Sequence, residues 1–168
     1  MSKKTDKARR QRMKRRRDAK NGTVVPILSG PELTTERCPA ASIDDMPRVS
    51  DMIATLIATD NGVGLAAPQI GCNTRMFIMR EPGTLAPVVF VNPTLGASSI
   101  EMATDNEGCL SEPGRFVPVE RHLAVWVTWC DQYGKEYDRA FYGFSARIIQ
   151  HEIDHLNGFC KVLSGSEE

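Results

Sequence analysis

The pattern of apolar positions predicts two helices that flank a region of strands. From Asp44 to Asp60, apolar residues recur at three- and four-residue spacing, as on the buried face of a helix. Pro47 fits in the first turn of this helix, and Asn61-Gly62 ends it. A second pattern of the same kind predicts a helix from Phe144 to Asn157.

Between these helices, apolar and polar residues alternate as in half-buried strands. Tyr133-Gly134 provides a turn between the last two strands and so predicts a hairpin. Near the N-terminus, Thr23 to Leu28 predicts a short strand or extended segment. The other predicted strands are Thr74–Arg80, Val88–Val91, Leu123–Cys130 and Glu136–Phe141. This order of elements favours an α+β fold, in which antiparallel sheets surround a C-terminal helix and a second helix lies near the N-terminus.

Charge is distributed very unevenly along a chain whose net charge is zero. Residues 1–20 contain eleven Lys and Arg and two Asp, a net of +9, and the other 148 residues contain ten Lys and Arg and nineteen acids, a net of −9. The basic arm, residues 1–22, has almost no apolar residues and is predicted to be disordered, and residues 23–168 to form one domain. Three interpretations of the arm stay open: RNA binding, a solubilising tail, and an organelle transit peptide. The last is disfavoured, because the arm has no apolar face.

Composition also limits the environment of the protein. Five cysteines, an odd and scattered number, make a poor disulfide framework and favour a reducing compartment. No apolar run approaches the roughly 18–20 residues that cross a bilayer, and the N-terminus has no apolar segment of a secretory signal. We therefore expect a cytoplasmic protein with no membrane contact.

The segment His151-Glu152-Ile153-Asp154-His155 carries the strongest chemical signal, the pattern H-E-x-x-H. On a helix, the two histidines lie on one face and can bind one metal ion, and the glutamate can accept a proton from bound water. The alternative is a solvated helix face that binds no metal. A catalytic zinc-type site takes three protein ligands and one open position, so a third ligand is required.

The third ligand is expected upstream of this motif. Residues 156–168 contain no His, and their only carboxylates are Glu167 and Glu168 in a polar tail. The upstream choice stays open between His122, an acid and a Cys, of which Cys109 in Glu107-Gly108-Cys109-Leu110-Ser111 has the most unusual surroundings. The remaining cysteines are interpreted as small buried hydrophobes: Cys38, Cys72, Cys130 and Cys160.

Residues 62–71, GVGLAAPQIG, are rich in small side chains. Taken alone, this segment predicts only a tight turn into a closely packed strand, and it lacks the spacing of a phosphate loop. Together with EGCLS at 107–111 and QHEIDHLNG at 150–158, it resembles the three signature motifs of peptide deformylase, in order and wording. The similarity extends over roughly residues 24–163.

The resemblance implies an enzyme that hydrolyses the N-formyl group from the formyl-methionine of nascent polypeptides and releases formate. By the match, Cys109, His151 and His155 hold one divalent metal ion, typically Fe(II), which Zn, Ni or Co can replace. Metal-bound water would attack the formyl carbonyl, with Glu152 as general base and then general acid. The Gln69 amide and the Leu110 backbone N–H would stabilise the oxyanion.

The resemblance also implies how the substrate binds. Its backbone would pair near Gly64, as in strand addition, and Gly108 would allow a close backbone approach. Val63, Ile148 and the His151 ring would line a pocket for the methionine side chain, the alternative being ordinary core packing.

This sequence departs from the family pattern in three places. Some bacterial members use an Arg seven residues past the metal Cys to orient substrate, where this chain has Phe116, so the role of its neighbour Arg115 stays open. Phe144 and Arg147 are bulkier or more polar than the aliphatic residues often found at these helix positions. The chain ends soon after the third motif, as in compact phage-encoded members, so a bacterial or phage-infected cell is expected, with an organelle less favoured.

Two other functions compete with this interpretation. An H-E-x-x-H endopeptidase is disfavoured by the EGCLS segment and by the missing downstream ligand. A ribosome- or RNA-binding protein with a structural metal site would need a fourth protein ligand, and none is apparent in the sequence. We expect a monomer whose residues 1–20 bring it to ribosomes.

Overall fold

A computed structural model describes residues 22–81 and 87–164. In these ranges the chain forms helix α1 (Arg48–Ala58), helix α2 (Gly143–Leu156) and a short helix α3 (Lys161–Ser164). The strands are β1 (Gly64–Ala66), β2 (Met76–Met79), β3 (Val88–Ser98), β4 (Met102–Cys109), β5 (Glu112–His122), β6 (Ala124–Cys130) and β7 (Glu136–Tyr142). The predicted α+β class, with antiparallel sheets around a C-terminal helix, is confirmed.

The larger sheet contains five strands in the order β1-β2-β3-β6-β7, and all its neighbours are antiparallel. The predicted hairpin is β6–β7, paired from Ala124↔Tyr142 to Cys130↔Glu136. One face of this sheet packs on helix α2, where Ile149 and Ile153 join an aromatic cluster. The rings of this cluster are Phe77, Phe90, Trp129 and Phe141.

Strands β4 and β5 form a separate two-stranded sheet that the apolar pattern does not predict. Most of their residues are exposed, and two of the buried ones, Glu107 and Arg121, are charged. An alternation of apolar and polar residues is therefore missing, and sequence periodicity has nothing to detect.

Two other elements differ by several residues from their predicted bounds. Strand β3 continues past Val91 to Ser98 despite Pro93 and irregular pairing with β6. Helix α1 begins at Arg48, because a 3₁₀ turn over Ile43–Asp45, capped by Ser42, precedes it. Thr23 to Leu28, predicted as a short strand or an extended segment, joins no sheet, and the Leu28 N–H donates to the Gln69 carbonyl.

Helix α2 is buried along most of its length. Every residue from Ala146 to Leu156 is buried, and six of these eleven are polar or charged. Because a buried polar group is costly without a partner, this composition requires other elements to supply partners or a metal ion. No helix in the described ranges is long and apolar enough to cross a membrane. The basic arm lies almost entirely outside the described residues.

Candidate active site

Four potential metal ligands converge at helix α2. The ligand atoms of Cys109, His151, His155 and Cys160 all lie within 4.8 Å of one another, and all four residues are buried. The end of strand β4 brings the Cys109 Sγ to 3.3 Å from the His155 Nε2. Two thiols and two imidazoles form a donor set that suits zinc, iron and similar ions, so the residues fit a bound metal.

The structure therefore brings together the three predicted ligands and adds a fourth. Cys160, interpreted from sequence as a small buried hydrophobe, is indeed buried, but its Sγ lies 4.0 Å from the His151 Nε2. The sequence feature that could have indicated this role is the position of Cys160 just past the Gly158 turn that ends the helix. His122, the other upstream candidate, bonds the Ser99 carbonyl through its Nδ1 and is not in the cluster.

Glu107 supports the site from strand β4 of the β4–β5 hairpin, which forms the two-stranded sheet. Its carboxylate lies 3.0 Å from the His151 Nδ1, and because a carboxylate can only accept, that nitrogen carries the proton. In the neutral ring, the Nε2 of His151 is thereby left free for a metal. Glu107 also accepts two hydrogen bonds from Arg121, which itself bonds Asp154, and one from Arg147.

Arg147 ties helix α2 to both strands of the hairpin. Besides Glu107, its guanidinium donates to the Val119 carbonyl at 2.8 Å and the Ala103 carbonyl at 2.7 Å. These bonds give a buried arginine on this helix its hydrogen-bond partners. Sequence reasoning did not find this network, because which charges pair depends on the folded arrangement.

Glu152 lies against the small-residue segment. A Cβ on Gly64 would overlap its carboxylate, so only glycine allows this close approach. One carboxylate oxygen, Oε2, is buried with no hydrogen-bond partner among the described residues. Burial raises the pKa of Glu152, against the opposing effect of the two histidines. An unpartnered buried carboxylate beside a metal-ligand cluster is suited to holding a reacting water.

Gln69 is held with its amide N–H groups toward the cluster. Its Oε1 accepts from the Ala66 N–H at 2.8 Å, and its Nε2 donates to the Ser111 Oγ at 3.2 Å and lies 3.6 Å from the Cys109 Sγ. The Gln69 side chain is thus a fixed hydrogen-bond donor next to the ligands. Leu110, in the turn after Cys109, lines a cavity beside the cluster, as Gln69 does.

This cavity has a volume of about 550 Å³ and opens beside the cluster. Val63, 39% exposed, and Ile148, 4% exposed, both line it, and Ile148 also packs in the core. A Cβ on Gly108 would lie 2.8 Å from the Phe116 ring, so the small residue there makes room for that ring. The cavity is also lined by Arg115, Phe116, Phe144 and Arg147.

The thiols and imidazoles of the cluster shift one another's pKa values. The hydrogen bond between the two thiols lowers the pKa of Cys160 and raises that of Cys109. Burial opposes a charged His151 imidazole, but its hydrogen bonds to Cys160 and Glu107 outweigh this and raise the pKa of His151 to about 10. Metal binding must displace such protons, which makes the affinity for the ion dependent on pH.

The fold and the site define a class of protein. Imidazole and thiolate ligands, a buried carboxylate and a fixed amide donor beside one cavity are typical of metal-dependent hydrolases.

Comparison with known proteins identifies the family. The sequence model of the polypeptide deformylase family matches residues 26–164, and the chain belongs to this family. The peptide deformylase of Pseudothermotoga lettingae is 41% identical over 133 residues, which are 79% of this chain and 74% of that protein. The resemblance noted in the sequence is confirmed.

Solved structures of peptide deformylases resemble the fold of this chain. The actinonin-bound class I type b peptide deformylase from Acinetobacter baumannii is 35% identical, with a TM-score of 0.77, and covers 86% of this chain and 100% of that one. A structure of the same enzyme with Met-Ala-Ser bound has a TM-score of 0.74 and 34% identity, and covers 83% and 96% of the two chains. The family removes the N-formyl group from nascent polypeptides in a metal-dependent hydrolysis, and this protein is such a hydrolase.

Proposed function

We propose that the cluster on helix α2 is where this protein hydrolyses the formyl group of N-formyl-methionyl peptides. The observation that carries the proposal is the convergence of Cys109, His151, His155, Glu152 and Gln69 on one cavity. A divalent ion held by the cysteine and the two histidines supplies Lewis-acid chemistry, because it lowers the pKa of water and polarises the formyl carbonyl.

Glu152 moves the proton. Its buried Oε2 is available to accept a proton from the attacking water, and its raised pKa makes it a stronger base. The same carboxyl then gives the proton to the leaving nitrogen as the C–N bond breaks. The products are formate and a peptide with a free α-amino group.

Gln69 and Leu110 stabilise the developing negative charge on the formyl oxygen. The Gln69 side chain donates through the N–H that lies toward Cys109, and its Oε1 is fixed by Ala66, so little reorganisation is needed. The Leu110 backbone N–H, in the turn next to Cys109, is the second donor.

The substrate backbone adds to strand β1. This strand is at the edge of the five-stranded sheet, and Gly64 lines the cavity at its first residue. An edge strand can pair with an extended peptide. The deformylase of Acinetobacter baumannii has been solved with the peptide Met-Ala-Ser bound. Val63 and Ile148 then contact the methionine side chain, with Gly108 and Arg115 further along the same cavity.

Glu152→Gln tests the mechanism. We expect formate release from a formyl-Met tripeptide to fall by about 10²–10⁴-fold in kcat, while the metal content stays at one ion per chain. Glu120→Gln, the same change at an exposed position of strand β5, is the matched control. Formate release by Glu152→Gln at the rate of the control would exclude the assigned base, and cleavage of internal peptide bonds by the wild type would instead favour an endopeptidase.

Fe(II) is proposed as the native ion, with Zn, Ni or Co able to replace it. The mixed sulfur and nitrogen donor set accepts all four, so the structure supports the group of metals and not one member. Metal analysis of anaerobically purified protein is the test, and Zn in place of Fe in such a preparation would contradict the proposal.

The basic arm is proposed to bring a monomeric, cytoplasmic enzyme to ribosomes, where formylated chains emerge. Support comes from the +9 charge of residues 1–20, which suits binding to RNA phosphates. Cosedimentation with ribosomes at low and high salt, with and without residues 1–20, measures the contribution. Equal binding of the truncated protein would contradict the proposal.

A further inference from the structure

The segment after helix α2 returns the chain to the metal-ligand cluster. Gly158 adopts φ 84°, and a side chain there would overlap the Thr35 carbonyl, so the turn is held against the N-terminal segment. The next helix, α3, begins directly after Cys160 and buries Val162. Cys160 is therefore fixed between two anchored positions, and is only 4% exposed.

The distances in the cluster suit a four-ligand site. Metal–sulfur bonds of about 2.3 Å and metal–nitrogen bonds of about 2.0–2.1 Å place tetrahedral ligand atoms roughly 3.3–3.8 Å apart. The Cys160 Sγ is 4.0 Å from the His151 Nε2, and no pair of the four ligand atoms exceeds 4.8 Å. Shifts of about 1 Å or less bring all four to bonding positions.

Charge balance favours a second thiolate. A divalent ion with one thiolate and two neutral imidazoles carries a net charge of +1, and a second thiolate makes the buried centre neutral. Burying net charge is costly, and the Sγ atoms of Cys109 and Cys160 lie within 4.8 Å of one another, close enough for both to reach one ion. Soft thiolate ligands also select zinc or iron over hard ions such as Mg²⁺.

Cys160 approaches from a different side than the substrate. Together with His155, it lines a second cavity of about 450 Å³, whereas Gly64, Gln69 and Glu152 line the larger one. Cys160 can therefore bind the ion while Glu152 and Gln69 stay next to the substrate cavity. Zinc in enzymes can expand to five ligands, which leaves room for the reacting oxygen.

We propose that Cys160 is a fourth protein ligand of the metal ion, so that this chain holds the ion with two cysteines and two histidines. This inference rests on the proposed function only in placing the ion at the same site. Four protein ligands would then close the centre in the resting enzyme, with Glu152 and Gln69 beside the substrate cavity.

X-ray absorption of the full chain loaded anaerobically with Zn tests the proposal. We expect two sulfur neighbours at about 2.3 Å in the wild type and one in Cys160→Ala. Cys72→Ala, which removes a partly buried cysteine outside the cluster, should match the wild type. One sulfur in the wild type overturns the proposal, and this result needs no variant to fold.

Two further readouts separate this proposal from the proposed function. In the Co(II)-loaded protein, sulfur-to-metal charge-transfer absorption should fall by about half in Cys160→Ala, and a chelator should remove Zn from that variant at least about tenfold more easily. Formate release is measured on the same preparations. Formate release with one sulfur refutes the Cys160 ligand alone, whereas two sulfurs without formate release refute the proposed function alone.

Discussion

Glu107→Gln is the change that most directly tests how the hairpin holds the site. One Glu107 oxygen accepts from the Arg121 Nε at 2.9 Å and the Arg147 Nη1 at 2.8 Å, and the other accepts from the Arg121 Nη2 at 2.9 Å and the His151 Nδ1 at 3.0 Å. A glutamine keeps one acceptor and turns the other into an NH₂ group. Whichever way the amide lies, that NH₂ faces two donors.

The magnitude follows from these bonds. Two charge-assisted hydrogen bonds are lost, each contributing about 1.5–3 kcal/mol, and two buried arginines lose part of their counter-charge. Measured losses on breaking a buried ion pair are about 3–5 kcal/mol, and we expect the free energy of unfolding to fall by that amount. A typical domain has only about 5–15 kcal/mol in total, so the variant should be near the limit of stability.

Urea unfolding of the metal-free protein at pH 7, followed by the fluorescence of the tryptophans, measures the loss. Trp129, 5% exposed, reports on the core. With a slope of about 2 kcal/mol per molar, the midpoint should fall by about 2 M. Glu120→Gln, an exposed change on the same hairpin, is the control. A free energy of unfolding for Glu107→Gln within about 1 kcal/mol of that control would refute the network as the main anchor of the β4–β5 hairpin.

The same variant should weaken metal binding. Glutamine lacks the negative charge with which Glu107 holds the His151 ring through its Nδ1, and loss of such a partner typically costs about 10–100-fold in affinity. Chelator competition measures this separately from stability. Unchanged affinity would show that the ring is oriented by the helix alone.

Three further predictions follow from the site. Gly64→Ala should lower kcat/KM for a formyl-Met peptide by about 10–100-fold, because its Cβ displaces the Glu152 carboxylate. The control is Gly96→Ala, whose new Cβ would have ordinary contacts and which should match the wild type. Equal activity of the two variants would contradict the close approach of Gly64 to Glu152. Burial alone would raise the pKa of Glu107, but His151 and Arg121 lower it to about 2. The ionised Glu107 therefore stabilises the folded protein fully above the unfolded pKa of about 4.3, and this stabilisation is lost as the pH falls toward 2. Urea midpoints from pH 6 to 2.5 should show this loss in the wild type and much less of it in Glu107→Gln. Removing the ion with a chelator should destabilise the protein by about 4 kcal/mol when the ion had been present at 1,000 times its Kd, and thermal unfolding with and without metal measures this.

Local spacing made half of the metal site predictable from sequence. His151 and His155 could be assigned because a helix fixes residues four apart on one face. Cys109 needed the resemblance, since spacing alone left His122 and the acids open. Cys160 was not predicted as a ligand, because its approach depends on a left-handed turn at Gly158 and on a contact with Thr35, distant in sequence.

In the fold, too, elements set by local sequence patterns were predicted, and an element that depends on distant partners was not. Helix α2 and the β6–β7 hairpin follow periodic apolar patterns, and both were predicted near their observed bounds. The β4–β5 hairpin was not predicted, because charged side chains such as Glu107 and Arg121 occupy buried positions where apolar residues would be expected. Whether a charged side chain is buried depends on its partner. The partners of Glu107 and Arg121 include Arg147 and Asp154, which lie on helix α2 and cannot be paired with them from sequence spacing.

The separation of the ligands between two parts of the fold has a consequence for the order of folding. His155 belongs to helix α2, and Cys109, 46 residues earlier, belongs to a hairpin that is not hydrogen-bonded to the larger sheet. A folding chain in which the helix has packed but the hairpin has not offers an ion two imidazoles and only weak binding. Tight metal binding requires the β4–β5 hairpin to have docked, so metal uptake should be among the last events of folding. The rate of metal uptake would then report when folding is complete.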